Sequence, residues 1–184
     1  MKNIRKILEG KNIELRTIEP MFRNTEAIFV AVDKNRDRLK LYFDWVQNTK
    51  FPEDSYVFLQ TTIERRKKGT EFMFGIFVDD VYAGNIDMHN NVNSNNMAGE
   101  TGYWLDKEFI GKGYVDEAVK LLENEFFDSD DGLKRIQISA QSKNEKSNAV
   151  TRKNNYILER TLKKYEFIDG QFNDCNIYSK LKEE

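Results

Sequence analysis

The sequence predicts an α+β fold, in which a mixed and mostly antiparallel sheet carries helices on both faces, and three observations predict it. Successive strand-like segments at 71–78, 81–89 and 99–106 predict an antiparallel meander. A glycine loop, an amphipathic helix and a further strand follow between 107 and 140, which indicates a parallel crossover. A helical region at 21–68 precedes the meander. Segments of these kinds combine in α+β proteins.

The N-terminal third predicts one strand followed by two or three helices. In 12–18, the apolar residues Ile13 and Leu15 alternate with charged residues, which predicts a strand. Between 21 and 68 the apolar residues recur at spacings of three and four, with breaks near Asn35 and around Pro52. This spacing is typical of amphipathic helices.

The later connections also follow from local patterns. Asp79 and Asp80 predict a tight turn between the first two strands of the meander, and the asparagine-rich stretch 90–96 predicts a longer hairpin loop. The helix after the glycine loop is predicted by one apolar stripe: Val115, Ala118, Val119, Leu122 and Phe126. The remaining predicted elements are a short helix and two strands: 145–154, 156–164 and 174–181.

Length and composition favour one globular domain spanning 1–184. Hydrophobic residues make up 39% of the chain and charged residues 33%, which is typical of a core inside a solvated surface. The apolar run 72–78 is interrupted by Gly75 and is far shorter than the roughly 20 residues that cross a bilayer. Residues 1–9 lack the apolar stretch of a signal peptide. The lone Cys175 has no cysteine partner, so we expect a cytoplasmic protein without a membrane span or a metal site.

The charge distribution does not favour nucleic acid. The formal net charge is -2, whereas proteins that bind DNA or RNA usually carry a strongly basic domain or stripe. The basic run 65–68 precedes Gly69 at the end of a predicted helix, where cations complement the helix dipole. We expect this run to be a solvated helix end.

The most informative segment, 103–114, runs from a predicted strand through a glycine turn into a helix. Such a turn leaves backbone N–H groups without partners at a helix N-terminus, and Gly111 and Gly113 let a phosphate approach the backbone. Tyr114 follows Gly113, where a Walker loop requires Lys and then Ser or Thr. Asp116 stands where the dinucleotide fingerprint requires Gly or Ala. The segment predicts a pyrophosphate site and supports neither ATP nor NAD.

Four segments together resemble the GNAT superfamily of N-acetyltransferases, in particular its branch of ribosomal-protein serine and alanine N-acetyltransferases. They are ETGYWLD at 100–106, GKGY at 111–114, NEKSNAV at 144–150 and Leu158-Glu159. The chain departs from the family pattern at Ile110, where the family has Gln or Arg, and at Val115, where it has Gly or Ala. A later Gly-Phe of the family is replaced by Asn155-Tyr156.

This resemblance implies a GNAT-like sheet whose central strands, ending at Asp106 and Ala140, splay apart around the co-substrate acetyl-CoA. The pyrophosphate would lie on the glycine loop, and the pantetheine arm would pair with backbone groups of the preceding strand. The implied cofactor-binding residues are Trp104, Leu105, Ile110, Gly111, Lys112, Gly113, Tyr114, Val115 and Asn144.

Acetyl transfer requires a neutral amine and a stabilised leaving group, and the resemblance assigns one residue to each task. Glu100 would draw a proton from the amine through water, and Ser147 would hydrogen-bond the departing sulfur. Nothing in the sequence activates Cys175, which favours direct transfer without an acetyl-enzyme intermediate. His89 is the only histidine, and no acidic partner is evident for it in the sequence, so we interpret it as structural or substrate-lining.

The acceptor amine stays open at this point. The leading hypothesis is the N-terminal amine of a ribosomal protein, and the second is a small amine such as a polyamine or an aminoglycoside. A third hypothesis is a CoA-binding regulator without turnover. The resemblance also implies a homodimer, and aromatic residues in the last third agree with it: Tyr165, Phe167 and Phe172.

Overall fold

The computed structural model describes residues 4–89, 97–129 and 132–183. Its strands are β1 Ile7–Glu9, β2 Glu14–Arg16, β3 Glu71–Val78, β4 Val81–His89, β5 Ala98–Leu105, β6 Arg135–Gln141, β7 Ile157–Ile168 and β8 Gln171–Leu181. Its α-helices are α1 Phe22–Lys34, α2 Arg36–Leu39, α3 Pro52–Lys68, α4 Tyr114–Asp128 and α5 Glu145–Lys153. Short 3-10 helices lie at Asp44–Asn48 and Lys107–Phe109.

The strands form one sheet in the order β1-β2-β3-β4-β5-β6-β8-β7. Every neighbouring pair is antiparallel except β5 and β6, which are parallel. The predicted meander and the predicted parallel crossover are therefore both confirmed. The parallel pairing joins only Ala98–Glu100 with Arg135–Gln137, although both strands continue beyond it. The splayed central strand pair is thus confirmed as well.

Each face of the sheet carries its own core. Phe72 and Phe74 of β3 pack against α4, whereas Met73 between them faces α1 and α3. This alternation arises because successive side chains of a strand point to opposite faces. The predicted apolar stripe of α4 lies in the first core, and Ala118 and Phe126 are fully buried there. Burial of one side chain as large as Phe126 contributes about 1.5 to 3 kcal/mol, so the apolar stripe anchors α4 to the sheet.

The N-terminal strand differs from the prediction. The strand expected at 12–18 is only Glu14–Arg16, and a further strand, β1, lies outside it at the sheet edge. Each of these short strands buries one central side chain, Leu8 in β1 and Leu15 in β2. One buried residue is too few to produce a recognisable alternation, so the sequence pattern does not indicate β1.

The last hairpin is longer than predicted. β7 and β8 run to Ile168 and from Gln171, so only Asp169 and Gly170 form the turn. Both turn residues have positive φ, as the hairpin turns that match strand twist require. The predicted turn at 79–80 is confirmed with the same geometry. The predicted asparagine-rich loop at 90–96 lies outside the described residues.

The basic run at the end of α3 is only partly a solvated helix end. Lys67 pairs with Glu64 at the surface, as expected of a solvated residue. Arg66 instead lies half-buried with its guanidinium 4.9 Å from the centre of the Phe74 ring, a cation–π arrangement. No α-helix in the described ranges is long and apolar enough to cross a membrane.

Candidate active site

A cavity of about 870 Å³ lies along the gap between β5 and β6 and extends to the starts of α4 and α5. Nearly all of the predicted site residues line it: Glu100, Trp104, Leu105, Ile110, Gly111, Gly113, Tyr114, Val115, Asn144 and Ser147. Lys112 is the exception, since it does not line the cavity and its ammonium lies 5.5 Å from the centre of the Phe109 ring. Segments that are distant in the sequence thus meet where the two central strands part.

The gap follows from the short parallel pairing. Beyond Glu100, β5 remains paired with β4 as far as Leu105 but has no pairing with β6. One edge of β5 is therefore open to an extended ligand that pairs through the backbone. Arg38 donates a hydrogen bond to the carbonyl of Leu105 and joins the lining of the cavity there. The Trp104 side chain is buried in the α1–α3 core, so only its backbone can serve this edge.

The glycine loop has the backbone geometry of a tight turn into a helix. Gly111 and Gly113 both have φ of 82°, a conformation that costs side-chain-bearing residues energy, and α4 begins directly after Gly113. The first backbone N–H groups of an α-helix have no acceptor within the helix and carry the positive end of its dipole. The Ile110 amide lies 3.5 Å from the Lys107 carbonyl, and Ile110 also lines the cavity.

Several cations that line the same cavity are not indicated by any sequence pattern. Lys143, Lys146 and Lys153 line the cavity, and all three come from α5 or the turn before it. Lys153 forms an ion pair with Asp116 in the first turn of α4, which offsets the negative charge beside the loop. The sequence does not indicate the pair of Lys153 and Asp116, because 37 positions separate the two residues.

Glu100 lies on the face of the sheet that carries α1 and α3. In the sheet register it stands between His89 of β4 and Gln137 of β6. The Gln137 side-chain amide donates a hydrogen bond of 3.3 Å to a carboxylate oxygen of Glu100. The carboxylate is thus held at the point where the gap opens.

Ser147 approaches the same cavity from the opposite face. It lies in the first turn of α5, where the Asn144 side chain accepts a hydrogen bond of 3.2 Å from the Ser147 amide. Asn144 is therefore the N-cap of α5. The phenol oxygen of Tyr103 lies 3.1 Å from the Ser147 hydroxyl oxygen. Burial is the main cause that raises the pKa of Tyr103 to about 12, so its phenol is neutral near pH 7.

Asn148 fixes the start of α5 to the sheet. It is 1% exposed, and its side chain makes four hydrogen bonds. The amide donates to the carbonyls of Gln141 and Asn144, and the oxygen accepts from Asn176 and Tyr178. All four hydrogen-bonding positions of the asparagine amide are therefore filled, and Ser147 beside it is held in place. Asn148 belongs to the NEKSNAV segment, but nothing in the sequence indicates its partners on β8, Asn176 and Tyr178.

His89 has the acidic partners that the sequence did not reveal. Its Nε2 atom lies 2.8 Å from Asp87, and its Nδ1 atom lies 3.8 Å from Glu71, its register neighbour on β3. These two carboxylates, Asp87 first, raise the pKa of His89 to about 10. His89 lines the cavity, but a protonated imidazole cannot act as a general base. The interpretation as a structural or substrate-lining residue is the one that this geometry favours.

Cys175 is buried on β8. Burial is the main cause that raises the pKa of its thiol to about 12, so it stays protonated and is a poor nucleophile. The described part of the chain contains no group of three or more His, Cys, Asp or Glu side chains that could hold a metal ion.

Comparison with known proteins identifies the family. Residues 13–156 match the model of the Acetyltransferase (GNAT) domain family. The chain is 29% identical to the ribosomal-protein-serine acetyltransferase of Escherichia coli strain K12, over 94% of each chain. It is 30% identical to the putative ribosomal N-acetyltransferase YdaF of Bacillus subtilis strain 168, over 95% of this chain and 94% of that one.

Solved structures agree with this. A coenzyme A complex of RimL, a ribosomal L7/L12 alpha-N-protein acetyltransferase, has a TM-score of 0.89 at 28% identity, covering 95% of this chain and 97% of that one. A complex of the microcin C7 self-immunity acetyltransferase MccE with acetyl-CoA and AMP has a TM-score of 0.86 at 28% identity, covering 94% and 93%. The family model, the relatives and the splayed cavity lead to one conclusion: this chain belongs to the GNAT acetyltransferase family.

Proposed function

We propose that this protein transfers the acetyl group of acetyl-CoA directly to the N-terminal amine of a ribosomal protein. One observation carries the proposal: a single cavity joins an anion-binding helix start to a carboxylate on the other face of the sheet. The relatives named as ribosomal-protein acetyltransferases cover nearly the whole chain and support the choice of acceptor.

The residues of the cavity suit acetyl-CoA. The helix start after Gly113 and the cavity-lining Lys143 and Lys146 provide positive charge for the phosphate groups, and the open edge of β5 suits the amides of a pantetheine arm. When bound, acetyl-CoA supplies the activated acetyl group as a thioester. The chain's own residues then bind it, position it and handle the protons of the reaction.

Glu100 and Ser147 act on different halves of the transfer in this proposal. An α-amino group titrates near 7.7 to 8, so roughly a tenth of it is neutral at pH 7 and a weak base suffices. Glu100 receives the amine proton through water on the α1–α3 face. Ser147 hydrogen-bonds the sulfur on the α5 face. The protonated Cys175 thiol agrees with a direct route, since no other cysteine could carry an acetyl group.

A small amine is the second candidate acceptor. The structure of the similar self-immunity acetyltransferase was solved with acetyl-CoA and AMP. This similarity favours a small acceptor, because AMP is a small molecule and not a protein. We further propose that residues 1–184 form one catalytic domain that acts in the cytoplasm, and we retain the homodimer as a prediction.

The test is a screen of acceptors with acetyl-CoA, in which the release of free thiol is followed. Peptides with the N-terminal sequences of ribosomal proteins should be acetylated, and the same peptides with a blocked N-terminus but free lysines should not. Polyamines and aminoglycosides form the second panel. Turnover of small amines alone would replace the proposed acceptor, and no turnover with tight CoA binding would support a regulator instead.

A further inference from the structure

The hydrogen bond between Tyr103 and Ser147 has no part in the mechanism above. The phenol oxygen of Tyr103 lies 3.1 Å from the Ser147 hydroxyl oxygen, where either atom can be the donor. It lies 3.4 Å from the Ser147 carbonyl oxygen, which can accept the same phenol proton but at the longer distance. The tyrosine comes from β5 and the serine from α5, and both line the cavity. The bond therefore joins two walls of the candidate active site.

The direction of this bond determines what Ser147 can do. A serine hydroxyl has one proton to donate and two lone pairs that accept. If Ser147 donates to Tyr103, no proton is left for a departing sulfur. If Tyr103 donates to Ser147, the serine proton can point at the sulfur, and the incoming bond makes it a stronger donor. A thiolate accepts hydrogen bonds and cannot donate, so its presence selects the second arrangement.

Tyr103 is suited to the donor role. Burial keeps its phenol protonated far above neutral pH, because it outweighs the hydrogen bond with Ser147, which lowers the phenol pKa. Its ring packs against the core under α4, so the position of the hydroxyl is set by the fold. The Ser147 end is equally fixed, because Asn144 caps its amide.

We propose that Tyr103 is a positioning residue that donates its hydroxyl proton to Ser147 and so directs the Ser147 hydroxyl at the sulfur of CoA. This rests on the proposed function, in which Ser147 faces that sulfur. During transfer a bond forms between the acceptor nitrogen and the acetyl carbon, the carbon–sulfur bond breaks, and its electron pair passes to sulfur. The amine proton passes through water to Glu100, and the thiolate takes its proton from solvent. Tyr103 transfers no proton and acts through Ser147 alone.

The first test needs no acceptor. CoA is bound to the protein, and the ultraviolet absorbance of its thiolate is followed with pH to give the pKa of the bound thiol. Ser147→Ala should raise this pKa, and Tyr103→Phe should raise it by a smaller amount. The double variant should match Ser147→Ala, because two residues that act in series are not additive. Tyr156→Phe removes a buried phenol outside the cavity and should leave the thiol pKa at its wild-type value.

The second test uses an accepted amine. Tyr103→Phe should lower kcat by about 3- to 10-fold, the effect of one hydrogen bond, at an unchanged KM for acetyl-CoA. The same substitution should have no effect in the Ser147→Ala background. A wild-type thiol pKa in Tyr103→Phe, or an equal loss of kcat in both backgrounds, would overturn the proposal. If no amine is acetylated, the proposed function fails, and the thiol titration still decides the role of Tyr103.

Discussion

At the scale of single residues, the candidate site holds the two residues of the proposed mechanism on opposite faces of one sheet. Glu100 lies on the α1–α3 face, and Ser147 approaches from α5 on the other face. Only a ligand that passes through the gap between β5 and β6 can meet both. In the proposed mechanism, the protonation state of the acceptor amine decides at which pH the Glu100 carboxylate contributes most to the rate.

Replacement of Glu100 by Gln should lower the rate most at low pH. The acceptor amine is then mostly protonated, and part of the loss should be recovered as free amine accumulates above about pH 8. The measurement is kcat/KM against pH with the best acceptor of the screen. Glu9→Gln, which removes an exposed carboxylate away from the cavity, should follow the wild-type profile. A loss that is uniform across the pH range would contradict the assigned role.

His89 should make stability depend on pH in the alkaline range. Its pKa is about 10 in the folded protein against an ordinary value of 6.5, so the folded state binds this proton more tightly. The stabilisation is complete below pH 6.5 and is lost as the pH rises through about 10. His89→Gln should therefore lower the free energy of unfolding more near pH 6 than near pH 10, as measured by urea denaturation. Equal losses at both pH values would show that the imidazolium does not contribute.

At the scale of elements, two helix starts determine the site. The loop before α4 needs residues that adopt positive φ, and α5 needs a cap and an anchor, which Asn144 and Asn148 supply. One departure from the family pattern also lies at a position that requires positive φ. Asn155, where the family has Gly, has φ of 63°, and asparagine tolerates this conformation better than most residues do.

Gly113→Val should weaken acetyl-CoA binding severely. The branched side chain disfavours φ of 82° by about 1 to 2 kcal/mol and blocks the approach of phosphate to the start of α4. Calorimetric titration with acetyl-CoA measures the effect. Gly170→Val is the matched control, since Gly170 has φ of 73° in a turn that does not line the cavity. It should cost similar stability and leave affinity intact, whereas unchanged affinity in Gly113→Val would place the phosphates elsewhere.

At the scale of the whole molecule, the β7–β8 hairpin exposes apolar surface at the edge of the sheet. Tyr165, Phe167 and Phe172 are 61%, 61% and 64% exposed, and the centres of the two phenylalanine rings are 4.9 Å apart. An edge strand also presents backbone groups that another chain can pair with. These features agree with the predicted homodimer.

The predicted homodimer should give twice the monomer mass in light scattering at micromolar concentration. Replacing Phe167 and Phe172 together by Ser should shift the mass to the monomer if the hairpin forms the interface. Phe22→Ser, at a position that is 79% exposed on α1, should leave the mass unchanged. A monomeric wild-type protein would remove the prediction.

Local spacing by itself determined the helices and most strands of this protein. Apolar periodicity shows which residues face a core, so the meander, the α4 stripe and the crossover could be predicted. The glycine loop was predictable for the same reason, because positive φ and helix capping are local requirements. Spacing did not determine the ends of these strands, since β1 and β2 bury one residue each and β7 is mostly exposed.

Only the tertiary structure decided which side chains meet. Strand register placed His89 beside Glu71 and opposite Glu100, and a crossover placed Ser147 against Tyr103, 44 positions away. The end of the parallel pairing at Glu100 opened the gap that the site occupies. Periodicity states which face a residue occupies but not which residue of another element lies opposite, because register and crossover packing depend on the whole sheet.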